Sequence, residues 1–196
     1  GSDRMRGMKR FMIGLAALPV LAAGSLWATS MALEPDAAGE ALAPDPATHP
    51  EAIVQVYGAD VWGFRGNFAI HTWVAVKDRY ESDYTIYQVI GWRQRRGRPV
   101  LSISEGNPAR PWFGSPPILL HDRRGPQAES LVERIRNAVA DYPFANDYRM
   151  WPGPNSNSFV AWIGLEVPEL ELDLPAKAIG QSWMKSEYAT INGGPD

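Results

Sequence analysis

The uncharged run from Phe11 to Leu33 most constrains what this chain can fold into. Twenty-three consecutive residues without Asp, Glu, Lys, Arg or His do not suit the surface of a small water-soluble domain. As a helix rising about 1.5 Å per residue, the run spans roughly 34 Å, enough for the hydrocarbon core of a bilayer. Arg4, Arg6, Lys9 and Arg10 precede it, and Glu34, Asp36, Glu40 and Asp45 follow. The positive-inside rule then places residues 1–10 inside and everything after Leu33 outside. Two readings of residues 11–33 stay open, an uncleaved transmembrane anchor and a signal sequence cut near Ser30-Met31-Ala32. The length of the run, beyond the roughly 7–15 residues of a typical signal core, favours the anchor. Gly14, Pro19, Gly24 and Ser25 are tolerated in membrane helices. Met5 or Met8 reads as the natural start, with Gly1-Ser2-Asp3 ahead of it.

Composition narrows the chemistry. The chain has no cysteine, which excludes disulfides, thiolate metal sites, a cysteine nucleophile and a lipid-modified anchor. Its histidines are His49, His71 and His121. A three-histidine metal site would need all of them, including one in a proline-rich segment, so no metal and no cofactor are expected. A net charge of −3 gives no reason to expect nucleic acid.

Residues 34–50, with Pro35, Pro44, Pro46 and Pro50, read as a semi-stiff linker. A globular domain is expected over residues 51–182 and a flexible tail over 183–196. Within the domain, Ile53–Tyr57, Phe68–Val76, Tyr84–Gly91, Pro99–Ile103 and Ile118–Leu120 read as strands. In the second of these, Ile70, Val74 and Val76 share one face, and His71, Trp73 and Ala75 the other. Lys77–Asp83 reads as a hairpin loop, and the arginine cluster Arg93–Arg98 as a solvated hairpin tip or a contact for anionic lipid or another polyanion. Trp112 and Phe113, on a proline- and glycine-rich loop, either line a cleft or cover the core. Gly125-Pro126 opens a helix with Leu131, Ile135, Ala138, Val139 and Tyr142 on its apolar face, stopped by Pro143. A second helix is expected over Asn155–Val167. The fold class is α+β, a small antiparallel sheet packed against two or three helices.

The stretch Trp151-Pro152-Gly153-Pro154-Asn155-Ser156-Asn157-Ser158 brings a rigid turn to the start of that second helix. Free N–H groups and the positive end of the helix dipole gather there, which suits a cap, an anion or an oxyanion. Ser156 lies three and four residues before Phe159 and Val160 and shares their side of the helix, whereas Ser158 reads as a cap. A serine nucleophile needs a base and oxyanion donors. His71, mid-strand, is the first candidate base and His121 the second.

The order His71-Thr72-Trp73 on a strand, then Asn155-Ser156-Asn157-Ser158-Phe159-Val160 opening a late helix, resembles the circularly permuted papain-like proteins, including the lecithin retinol acyltransferase-like enzymes. The resemblance implies a sheet packed on that helix and a histidine–cysteine dyad, the histidine falling on His71 and the cysteine on Ser156. Its third polar residue falls on Gln88 or Tyr87, with Asn155, Asn157 and Ser158 left for oxyanion or ligand binding. The segments His71–Ala75, Gly91-Trp92, Tyr142–Asn146, Trp151–Trp162 and Leu174–Gly180 also resemble an uncharacterised bacterial family of membrane-anchored domain-of-unknown-function proteins. That likeness implies a bacterial inner-membrane protein, held through residues 11–33, with a periplasmic domain. Two functions follow as expectations. One is a serine-dependent amide or ester hydrolase or acyltransferase acting on cell-wall, lipid or lipoprotein substrates. The other is a non-catalytic binding or scaffold domain, or a subunit of a membrane complex in which Gly14 and Gly24 allow close helix approach.

Overall fold

The computed structural model describes residues 42–61 and 69–193. The anchor or signal reading of residues 11–33 lies outside them, and among the described residues no helix is long and apolar enough to cross a membrane. Alternating and β-branched segments build five strands, β1 (Ile53–Asp60), β2 (Ile70–Lys77), β3 (Thr85–Val89), β4 (Leu101–Glu105) and β5 (Ile118–Arg124). They form one antiparallel sheet in the order β4-β3-β2-β1-β5. β3, β2 and β1 have hydrogen-bonded neighbours on both sides, and β1 and β2 are buried on both faces.

Three helices follow, α1 (Pro126–Ala140), α2 (Ser156–Glu166) and α3 (Gln181–Ile191). α1 is amphipathic, with Ala128, Leu131, Val132, Ile135, Ala138 and Val139 turned inward at helical spacing. After its polar first turn α2 is apolar on every side from Phe159 to Ile163, the pattern of a buried helix, and packs against α1, α3 and the sheet. Its Phe159, Val160 and Ile163 join Val54, Val56, Ile70, Val74 and Val76 in the main core.

Segments expected to be loose pack instead. Residues 42–50, part of the expected linker, run over the second face of the sheet. Leu42 and Ala43 sit on a core of Ile53, Tyr57, Ala59, Trp73 and Ala75, and the Leu42 carbonyl accepts from Gln55 Nε2 at 3.1 Å. The apolar second face needs that cover. The tail begins with α3, whose Met184 is fully buried and whose Tyr188 ring lies 5.5 Å from that of Trp162. Its apolar partners, among them Trp162 of α2 and Phe144, lie in other segments, so nothing local in the sequence marks the helix as held. The arginine cluster forms a 3-10 helix, Gly91–Arg96, closed by Gly97 at φ 62.

Candidate functional site

Pro152 and Pro154 keep the chain out of helix until Asn155, whose extended backbone (φ −146, ψ −172) makes it the N-cap of α2. Its side-chain oxygen accepts from the N–H groups of Asn157 and Ser158, both at 3.0 Å. Ser158 Oγ accepts from the Asn155 N–H at 2.6 Å, closing a capping box. Asn155 Nδ2 donates to the carbonyls of Met150 (3.0 Å) and Ile179 (3.1 Å). Asn157 Nδ2 donates to the same Ile179 carbonyl at 3.0 Å. Thr72 of β2 donates to Asn157 Oδ1 at 3.0 Å. Asn155, Asn157, Ser156 and Ser158 are all buried. One cap therefore ties together the turn before α2, the sheet and the segment before α3. Gly180 fits against it only without a side chain, because a Cβ there would lie 2.6 Å from Asn155 Nδ2, and its φ is +107.

This arrangement uses two of the N–H donors at the start of α2. The N–H groups of Asn157 and Ser158 point at Asn155, and the side chains of Asn155 and Asn157 are committed to carbonyls. Ser156 contributes its own carbonyl, which accepts from Thr72 Oγ1 at 3.3 Å. Its hydroxyl has no hydrogen-bond partner among the described residues.

His71 lies elsewhere. Successive strand residues point to opposite faces. Thr72 reaches α2, so His71 projects from the other side of the sheet, with Trp73 and with its cross-strand neighbour Ala59. The structure brings His71 to Gln88, Nε2 to Oε1 at 3.3 Å, and lays the Trp112 ring against it with centroids 3.7 Å apart. It does not bring His71 to Ser156. Tyr87, paired with Val74, faces the helices. Burial disfavours the charged imidazolium and pushes the His71 pKa down to about 4, the Gln88 contact opposing this only in part. His71 is thus a neutral ring sealed under indole. His121 pairs with Val56 on the outer strand β5, two strands from β2. Its Nε2 is buried without a partner among the described residues, and burial lowers its pKa too.

Two features escaped the reading of the residues. Thr72 is the strand residue that meets α2, and its only signal was its place in the alternation with Ile70 and Val74. The second is the joining of Trp92 and His71 to Trp112 and Phe113, the two rings expected to line a cleft or cover the core, in one aromatic shelf. Trp112 stacks on His71, Trp92 lies 5.5 Å from Trp112, and Phe113 meets both rings edge-on at 5.2 Å. Arg93 fixes the adjoining 3-10 helix by donating to the Pro99 carbonyl and, at 3.3 Å, to Ser102 Oγ. Chemically, the α2 corner holds a fold together, while the shelf offers exposed ring faces beside guanidinium groups.

A family model described as protein of unknown function (DUF3750) matches residues 51–183. No curated protein and no solved structure matches the chain.

Proposed function

The chain belongs to the DUF3750 family, and from that premise we propose that its domain is a non-catalytic binding module of a bacterial cell envelope. In this reading residues 11–33 hold it in the inner membrane with the domain outside, and the domain keeps a permuted papain-like layout, a sheet against the start of a buried helix, without a working dyad. The observation that carries the non-catalytic reading is the disposition of the two groups a serine enzyme needs. The base candidate His71 projects from one face of the sheet, and Ser156 opens a helix on the other. The N–H groups of Asn157 and Ser158, the expected oxyanion donors, already bond to Asn155. The aromatic shelf then stands as the binding surface.

A hydrolase or acyltransferase acting on amides or esters of the envelope keeps one supporting observation, the unpartnered hydroxyl of Ser156 at the start of α2. A fluorophosphonate probe separates the two readings. The binding module leaves the full chain unlabelled, and Ser156→Ala leaves its stability nearly unchanged. An adduct on Ser156 that disappears in His71→Ala overturns the non-catalytic reading.

A further inference from the structure

We propose that the end of the sheet where β2 begins docks flat on an anionic lipid surface, which deepens the reading of the domain as a binding module by naming what its shelf binds. Three independent observations converge on this end.

The first is the distribution of exposed apolar surface. Trp92, Phe113, Ile118, Met150, Trp151 and Ile179 are all exposed. Ile118 pairs with Gly58 near the end of β1. The carbonyls of Met150 and Ile179 converge on Asn155, and the Lys177 carbonyl accepts from Ile70 at the start of β2. Trp92 and Phe113 complete the same rim beside His71 through the shelf. Of the other exposed large hydrophobic residues, Ile103 lies within β4, Ile191 ends α3, and Tyr80, with a left-handed backbone like that of Phe113 (φ 67), lies in the β2–β3 turn at the opposite end.

The second is charge. Arg95, Arg96, Arg98 and Arg149 belong to the same rim and form no ion pair among the described residues. Side chains three apart eclipse in a 3-10 helix, so Trp92 and Arg95 share one side of Gly91–Arg96. The opposite end is lined by Asp78, Glu81, Asp83 and Glu105, with Lys77 and Arg136 among them. The chain carries a net charge of −3, so this basic end is local. Tryptophan and arginine together match the headgroup layer, where rings sit at the interface and guanidinium groups meet phosphate.

The third is backbone strain at the most exposed ring. Phe113 is 75 % exposed and has φ 48, followed by Gly114 at φ 84. Trp112 and Ser115 exchange both backbone hydrogen bonds across them, 2.9 Å each. The first central position of such a turn favours Gly, Asn or Asp. A phenylalanine there places a large apolar ring outward at a cost in both backbone and hydration, as a wedge entering a bilayer would require.

The absence of cysteine makes the test clean. The full chain carrying Pro116→Cys or Ser82→Cys, one at each end, is spin-labelled and mixed with vesicles of phosphatidylcholine alone or with 30 % phosphatidylglycerol. Docking lowers the access of a water-soluble nickel complex to the Pro116→Cys label severalfold in anionic vesicles only. It leaves the Ser82→Cys label wet and is lost in 1 M salt. Arg95→Gln/Arg96→Gln/Arg98→Gln should weaken it roughly a hundredfold, because each arginine near a surface of this charge contributes about one decade or somewhat less. Equal access at both labels in anionic vesicles overturns the proposal. Protection that is equal in neutral vesicles overturns its anionic occupant. Carbonate extraction and fluorophosphonate labelling of the same preparation report the anchor and the non-catalytic reading separately, so their failure is distinguishable from that of docking.

Discussion

Replacing Asn155 by alanine should damage this protein far more than replacing Ser156. The Asn155 side chain accepts from the N–H groups of Asn157 and Ser158 and from Ser158 Oγ, and donates to two carbonyls. An N-cap substitution alone costs about 0.5–2 kcal/mol. Here the residue is 5 % exposed, so water does not readily replace the lost partners, and each buried polar group left unpaired costs about 1–3 kcal/mol. Relaxation of the turn recovers part of this, so the net loss should be about 4 kcal/mol. That is a large fraction of the roughly 5–15 kcal/mol that stabilises a typical domain. With about 2–4 °C per kcal/mol for a chain of this size, the melting temperature should fall by roughly 8–16 °C. Asn155→Asp offers a sharper test. It keeps the oxygen that accepts from both N–H groups and favours the helix dipole, but it sets a carboxylate oxygen against the carbonyls of Met150 and Ile179. It should recover only part of the loss. Ser156→Ala removes no protein hydrogen bond among the described residues and should shift melting by less than about 3 °C. Thermal unfolding of the full chain by circular dichroism measures all three. Equal shifts for Asn155→Ala and Ser156→Ala would refute the reasoning, because they would show that the cap does not hold the corner.

Thr72→Val keeps the shape of a strand residue but removes the donor to Asn157 Oδ1 and the Ser156 carbonyl; urea unfolding should show a loss of about 2 kcal/mol, and an unchanged midpoint would contradict the link between β2 and α2. His71 has a folded pKa of about 4, below the usual 6.5, so the unfolded chain binds the proton first. The stability it contributes is complete above about pH 6.5 and is lost as pH falls toward 4, about 3 kcal/mol in all. The pH dependence of unfolding should be shallower by that amount in His71→Gln, while His121, lowered in the same direction, keeps its own share in both proteins; identical profiles would refute the assignment. Phe113→Asn relieves a left-handed backbone at an exposed ring, so melting should stay level or rise by a few degrees while protection of the Pro116→Cys label falls, and a loss of both together would mark Phe113 as a packing residue.

Much of the fold was legible because its signals are local. Alternation marked β2 and divided its faces correctly, with Ile70, Val74 and Val76 on one side and His71, Trp73 and Ala75 on the other. Gly125-Pro126 and Pro143 bracketed α1, and the Pro-Gly-Pro turn followed by Asn155 marked the start of α2 to within a residue. What stayed hidden depended on partners distant in the chain. Both faces of β2 are apolar, so nothing in its pattern says which face receives α2. A reading that paired His71 with Ser156 needed that face to be the histidine's, and the packing places Thr72 there instead. Residues 42–50 and Gln181–Ile191 have too little periodicity to announce that they are held, because the surfaces they cover lie in other segments.

By itself, then, the sequence determined the α+β class, the approximate places of the five strands and of α1 and α2, the lack of thiol chemistry and the polar cluster at the start of α2, since each depends on residue type or on spacing within about a dozen residues. Only the tertiary structure decided that this cluster closes on itself as a cap. It also decided that His71 is sealed under Trp112 on the far side of the sheet, and that aromatic and arginine side chains from separate loops gather at one end. The physical reason is common to all three: hydrogen-bond partners, burial and a shared surface are properties of groups brought together across the chain, and no local pattern encodes them.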